Sequence, residues 1–573
     1  MGKLYKYLQP YVLFILLTVT IKFGAAMVEL LIPFLMEIIL DDIIPTGNIP
    51  RVFLYGGGMV LCALVCVGMN ILANRMAAIS SGKITLKLRH DLFQKLSTLS
   101  AHQMDELTVS SAESRLTSDS YNINQFLARI QRMGIRAPTL LIGGIAMTLL
   151  MDAPLALILI AMLPPIVLLV FFVTKTSLPL YTKQQGILDR VVRVVQENIT
   201  GIRVVKALSK TDYEKSRFNG VNSDLNAVEE KAGYITSLTN PVATLILNLG
   251  LTVVVVVGAH RVNSGAILPG VIISFLQYFT MILNSLLGVT RIFVMLSKAQ
   301  ASALRISSVL ETPADLQVQS AQEERCSDHF IEFKDVTFSY TGVGTNLQNL
   351  SFALDRGQTL GILGATGSGK TTILNLLMRF YDPQQGTVSI GGRDVRTIPS
   401  DELRSYFGVV FQNDFVAEGT IRENIRFFRD LPQETLTAAA EDAQAAEFIA
   451  GKDGGMDAEV AVRGNNLSGG QKQRLLIARA LASDPEILVL DDASSALDYR
   501  TDAQLRRALR QNHDHTTTVI VAQRISSIRH ADLILVLHDG QVIGAGKHDA
   551  LMETCEEYRS IAAHQMGLGE EED

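Results

Sequence analysis

Three shortages frame this chain of 573 residues. Charged residues make up only 19% of it against 48% hydrophobic, no Lys- or Arg-rich run interrupts it, and its four cysteines (Cys62, Cys66, Cys326 and Cys555) form no C-x-x-C pair. The first shortage, with a mean hydropathy of +0.25, excludes a wholly soluble enzyme and puts part of the chain in lipid. The second, with a net charge of only −6, removes the electrostatic footprint of a nucleic-acid binder, so no nucleic-acid partner is expected. The third argues for free thiols and against a metal site. Cys62 and Cys66 lie in an apolar run, where small buried residues are ordinary. A cleavage-site pattern is also lacking after the short basic start at 1–10. The apolar stretch that follows is far longer than a signal-peptide h-region, so it is expected to remain as a first membrane helix.

What is present divides near residue 315, because nearly every long apolar run precedes it and the glycine-rich motifs follow it. The expected organisation is a transmembrane domain over 1–315, a linker over 316–329 and a nucleotide-binding domain over 330–573. A hydrocarbon core of about 30 Å takes roughly 20 helical residues, and six stretches qualify: 11–40, 52–78, 134–151, 155–174, 238–259 and 266–297. Six spans place both ends of the domain on one side. Connections alternate between short (41–51, 152–154, 260–265) and long (79–133, 175–237). The long ones carry Lys83, Lys87, Arg89, Lys95, Arg129, Arg132 and Arg136, so the positive-inside rule makes them, both termini and the second domain cytoplasmic. Apolar residues recur at helical intervals through 187–199, so the spans should run on beyond the bilayer. Cap-type residues at 110–119 and 208–217 mark either short helices that touch the nucleotide domain or solvated turns.

The first span carries Lys22 and Glu29, seven residues apart on one helical face. Ionisable groups at membrane depth are costly. They line a substrate path, or Lys22 pairs locally with Glu29 or snorkels.

In the second domain 330–340 alternates like a strand, and Thr359-Leu-Gly-Ile-Leu363 runs into Gly364-Ala-Thr-Gly-Ser-Gly-Lys-Thr371, which fits G-x-x-x-x-G-K-[ST]. Strand, glycine loop, then helix is the context that lets the backbone of Gly364, Thr366, Gly367, Ser368 and Gly369 cradle phosphate oxygens. Lys370 reaches the terminal phosphates, Thr371 offers a hydroxyl to Mg²⁺, and Thr372 continues the helix. Leu488-Val-Leu-Asp491 supplies an apolar strand ending in a carboxylate for the hydrated metal. ATP and Mg²⁺ are therefore the expected cofactors.

Leu467-Ser-Gly-Gly-Gln471, standing shortly before that strand, resembles the signature motif of ATP-binding cassette (ABC) proteins. Six spans, two long loops and a fused C-terminal cassette resemble a half-transporter of the ABC exporter type over essentially the whole chain. The resemblance implies an α-helical membrane domain of six long helices, type I exporter-like, fused to an α/β P-loop NTPase domain in the bacterial cytoplasmic membrane. It implies that Tyr340 stacks on adenine, that Gln412 touches Mg²⁺ and the attacking water, that Ser495 to Asp498 cross to a partner cassette, and that 110–119 and 208–217 are coupling helices. It also implies a second half-transporter, because Leu467, Ser468, Gly469, Gly470 and Gln471 close the other chain's nucleotide site.

Departures from the family pattern fall on hydrolysis. Asp492 stands where a catalytic glutamate is usual, Gln523 where a switch histidine is usual, and Val462 where the loop before the signature usually offers an acid. One methylene less retracts a carboxylate by more than about 1 Å, a misplacement that can cost about a hundredfold. An amide at 523 carries neither the charge nor the proton of an imidazole. The pattern resembles the degenerate half of heterodimeric bacterial exporters. The expected activity is ATP-driven export of a small amphipathic or hydrophobic substrate; a homodimeric lipid or peptide exporter with slow turnover is the alternative. Asp492, Gln523 and Gln412 are the candidate catalytic residues, and Thr371, Gln412 and Asp491 the candidate metal ligands.

Overall fold

The computed structural model describes residues 5–320, 327–412 and 415–566; Cys326 lies outside them. Cys62, Cys66 and Cys555 are free thiols. Two compact units emerge: one holds 1–98 and Leu107–Thr312, the other Leu99–Glu106 together with the chain from Pro313 on.

The first unit is a set of six helices long and apolar enough to cross a membrane: Tyr5–Thr46, Ile49–Ser97, Val109–Met151, Ala153–Thr200, Thr211–Asn263 and one beginning at Pro269. The first five expected spans each lie within one of them, and the sixth, 266–297, begins three residues before its helix, which starts at Pro269. The second helix starts on an Asn48 cap with proline in its first turn and runs 49 residues, so at 1.5 Å per residue it is about 73 Å long, more than twice a hydrocarbon core. The fourth starts on Asp152, which accepts from the Leu155 N–H at 2.9 Å, and continues through Pro164, Pro165 and Pro179. The short connections are drawn together at one end. There Asp41 accepts from the backbone N–H groups of Gly270 and Val271 at 2.6 and 3.1 Å, capping the sixth helix, and Arg261 pairs with Asp152 at 2.7 Å.

Two sequence expectations for this unit need correction. Lys22 does not pair with Glu29, because seven residues along a helix separate them by about 10 Å. Instead Lys22 is buried, 4% exposed, and donates to the amide oxygens of Asn70 and Asn74 at 2.5 and 3.1 Å, while Glu29 receives a bidentate pair from Arg136 at 2.6 and 3.1 Å. The stretch 110–119 belongs to the membrane unit as a helix passing through a π-turn at Arg115–Asp119, so it is not the piece that joins the cassette unit. That piece is Leu99–Glu106. Ser100 donates to Asp315 at 2.6 Å, Gln103 to the Pro313 carbonyl at 2.6 Å, and the Tyr381 hydroxyl to Asp105 at 2.5 Å.

In the second unit a six-stranded sheet runs in the order Gln541–Gly546, Leu533–His538, Thr359–Gly364, Thr517–Val521, Ile487–Asp491, Phe407–Val410, parallel except for its first strand. Beside it lies an antiparallel sheet of Leu347–Leu354, Ile331–Phe338, Gln385–Ile390 and Arg393–Asp394. Alternate residues of the strand at 487–491 feed different cores. Ile487 and Val489 join Ile373, Leu374 and Leu377 of the helix Lys370–Leu377; Leu488 and Leu490 join Leu475 and Leu476 of the helix Gly469–Leu481. Because successive side chains of a strand point to opposite faces, the glycine-loop helix and the signature helix occupy opposite faces of one sheet.

Candidate active site

The strand Thr359–Gly364 enters the glycine loop at Gly364, where an added Cβ would lie 2.4 Å from the Leu537 carbonyl oxygen, so only glycine fits. Gly367 and Gly369 take φ of +86° and +101°, conformations that favour glycine. Gly369 then caps the helix Lys370–Leu377, aiming its first N–H groups, with those of the loop, at one small space. Lys370 Nζ donates to the carbonyls of Gly364 and Ala365 at 2.9 and 2.7 Å, across the mouth of that space. Ser368 is 4% exposed, and its Oγ, tucked beneath the loop beside Gly364, has no hydrogen-bond partner among the described residues. Burial pushes the Lys370 ammonium down in pKa, opposed by the charges of Asp491 and Asp492.

Those carboxylates end the strand Ile487–Asp491. Asp491 is 4% exposed; burial, and then the Asp492 charge, push its carboxyl above the usual range, against the pull of Lys370. Burial also pushes Asp492 up, opposed by Lys370 and Arg524. Asp492 has a left-handed backbone, φ +52°, and its N–H donates to the Val521 carbonyl at 2.9 Å. Its side-chain Oδ2 accepts from Gln523 Nε2 at 3.1 Å. Sequence-distant Lys370, Asp491, Asp492 and Gln523 thus form one group. Gln412 is exposed two residues past the strand Phe407–Val410, whose Val410 stands opposite Leu490, so the chain carrying it emerges beside the two aspartates.

Tyr340 follows the strand Ile331–Phe338 and leans on the glycine-loop helix: its hydroxyl lies 3.4 Å from Thr372 Oγ1 and accepts from Asn375 at 2.9 Å. Its ring meets Phe338 and Tyr381 edge-on at 4.8 and 5.0 Å. The residue set fits a magnesium nucleotide: a cation and glycine-only turns suit the phosphates, and Thr371, Gln412 and Asp491 are oxygen donors suited to a hard cation. When bound, Mg²⁺ supplies charge neutralisation on the phosphates.

Leu467 to Gln471 belong to the opposite face. Ser468 caps the helix Gly469–Leu481, accepting from the Gln471 N–H, while the Gln471 side chain accepts from the Ser468 N–H at 3.0 Å, a reciprocal capping box. Gly470 runs close to the loop after Asp492, an added Cβ there lying 3.1 Å from the Ala496 carbonyl oxygen. This thirteen-residue helix presents a second N-terminus suited to an anion, on the sheet face away from the first. Two such cassettes, each lending one face, would complete two nucleotide sites.

Sequence reading missed three features. Asn70 and Asn74, an i, i+4 amide pair in an apolar span, carried a signal. Leu99–Glu106 carried little, and the contacts between the switch segment and its neighbours carried none: Ser494 and Ser527 hydroxyls 3.1 Å apart, and Arg524 over the Tyr499 ring at 5.1 Å.

Comparison with known proteins agrees with this architecture. Residues 15–286 match the family described as ABC transporter transmembrane region, and residues 347–495 the family described as ABC transporter. An uncharacterized ABC transporter ATP-binding protein, YfiB, of Bacillus subtilis (strain 168) is 34% identical, covering 99% of both chains. A putative ABC transporter ATP-binding protein, exp8, of Streptococcus pneumoniae serotype 4 is 30% identical over 99% of this chain and 97% of its own. Among solved structures, a bacterial Atm1-family ABC exporter with ATP bound superposes with a TM-score of 0.83 at 25% identity, covering 97% of this chain and 99% of the other. The chain belongs to the ABC transporter family, as an exporter-type half-transporter whose cassette is a transport ATPase.

Proposed function

We propose that this chain is the weakly hydrolysing half of a heterodimeric exporter, carrying a small amphipathic or hydrophobic substrate out across a bacterial cytoplasmic membrane with its N-terminus and cassette in the cytoplasm. The observation that carries the reading is the acid pair. Asp491 is a buried carboxylate at the end of its strand, of the kind that suits a metal, but Asp492 is short, has a left-handed backbone and accepts from an amide that cannot relay a proton. Lys370, Thr371 and Thr372 bind phosphates, Tyr340 flanks the base, Gln412 and Asp491 complete the metal's donors, and Leu467 to Gln471 serve the partner's site. ATP held at this chain's site keeps the cassettes together while the partner's glutamate works. The cytoplasmic loop helices pass that closure to the spans, and 316–329 links the two domains.

Affinity purification of the tagged chain from its native membrane, followed by intact-mass measurement, tests the pairing. A different ABC chain in one-to-one ratio is the expected result. Two copies of this chain would instead favour a homodimeric lipid or peptide exporter with slow turnover, with Asp492 and Gln523 sustaining it.

A further inference from the structure

The last described helix, Glu556–Met566, is fixed by its own apolar side: Tyr558 and Ala562 are fully buried in one core with Ile525 and Ile528, and Tyr558 also meets His548 at 2.8 Å. Residues 558, 562 and 565 share a helical face, so anchoring the first two fixes the direction of the third. Gln565 there faces the segment after the strand Thr517–Val521. Its Nε2 donates to the Gln523 carbonyl at 2.7 Å, and its Oε1 accepts from the Ile525 N–H at 2.8 Å. The primary amide spans the peptide on either side of Arg524 with one donor and one acceptor, a match that alanine, leucine or glutamate cannot reproduce. Gln523, gripped by its backbone, reaches the Asp492 carboxylate with its side chain at 3.1 Å.

We infer that Gln565 is a positioning residue for ATP hydrolysis: the C-terminal helix holds the switch segment through this amide, and thereby sets where Gln523 stands relative to Asp492 and the terminal phosphate. Gln565 touches neither nucleotide nor Asp492. It acts through Gln523 alone. Since Gln565 is exposed, water competes for both hydrogen bonds, and its loss slows hydrolysis by about fivefold rather than by the orders of magnitude that loss of a reacting group brings.

The test uses the native complex in lipid nanodiscs, with hydrolysis at the site of any different partner chain blocked by substitution of that chain's P-loop lysine. Single-turnover release of ³²P from [γ-³²P]ATP with Mg²⁺ is followed over hours, so that a slow site is read as readily as a fast one and the outcome is independent of the proposed weak-site role. Gln565→Ala is expected to slow release about fivefold with half-saturating ATP within about twofold of the parent, and Gln565→Glu to slow it similarly. On a Gln523→Ala background, Gln565→Ala is expected to change nothing further. Equal slowing on both backgrounds, an unchanged rate, or an effect confined to ATP affinity overturns the inference. Hydrogen exchange supplies the second readout: in Gln565→Ala the Ile525 amide exchanges faster while 556–564 keep their protection. Loss of protection across 556–564 as well would show that Gln565 only holds the helix, and unchanged exchange at Ile525 would show that the clamp does not exist.

Discussion

Lengthening Asp492 by one methylene is the perturbation that bears most directly on the acid pair. If a carboxylate withdrawn by somewhat more than 1 Å costs about a hundredfold, Asp492→Glu has about 2.7 kcal/mol of barrier to recover at 1.36 kcal/mol per tenfold. Part of that is offset, because the longer side chain must leave the 3.1 Å hydrogen bond from Gln523, a contact whose net value is about 1 kcal/mol. The remaining 1.7 kcal/mol or so corresponds to a rise of about 20-fold in turnover at this site. Single-turnover ATP hydrolysis by the native complex, with the partner's own site blocked and Lys370→Ala as the blank, measures it. A glutamate variant that hydrolyses no faster than the parent would refute the claim that reach limits the site.

Three further outcomes follow from the geometry. Gln523→His should raise turnover and, at saturating Mg²⁺, introduce a pH-dependent limb near the ordinary imidazole value of about 6.5 that the parent lacks; a variant profile identical to the parent's between about pH 5.5 and 8 would contradict the assignment of residue 523. Burial raises the carboxyl pKa of both Asp491 and Asp492, so each binds its proton at a higher pH than a solvated carboxyl would. In the metal-free site protons therefore compete with Mg²⁺ for these carboxylates, so the Mg²⁺ concentration that half-saturates ATP turnover should rise on acidification before exposed carboxylates protonate, and return to its starting value at neutral pH, as Mg²⁺ titrations across a pH series would show. In the membrane unit, Glu29→Gln or Arg136→Met should each lower stability by about 1–2 kcal/mol, the low end for a broken pair because the Arg136 side chain is 45% exposed. The double variant should recover part of the loss in a thermal-unfolding cycle, and additive losses would show that the two charges do not interact.

Features governed by local backbone demands were legible in the sequence, and those governed by tertiary meetings were not. Gly364, Gly367 and Gly369 announce a phosphate loop because no other residue tolerates that close approach and those positive φ values. Ser468 and Gln471 sit at the spacing of a capping box, and the structure has one. The six spans follow from apolar length alone. Lys22 was misread because its partners, Asn70 and Asn74, stand on another helix, and Glu29 because Arg136, which had counted only toward orientation, reaches it from a third. The serine-rich stretch at 110–119 looked like a loop tip, yet its capping residues continue a helix through a π-turn, while Leu99–Glu106, flanked by a shorter break, is the piece found with the cassette. No periodicity links Gln565 to Gln523, because a side-chain amide meeting a distant backbone leaves no trace in spacing.

The central claim, that this chain holds ATP without promptly cleaving it, can be read from the fate of the γ-phosphate on the chain itself. The purified native complex would be incubated with Mg²⁺ and 8-azido-ATP carrying ³²P at either the α or the γ position, washed, and photo-crosslinked under turnover conditions. The account predicts that this chain retains γ-label as strongly as α-label, whereas its partner retains mainly α-label. Loss of γ-label from this chain at the rate of the partner would contradict it.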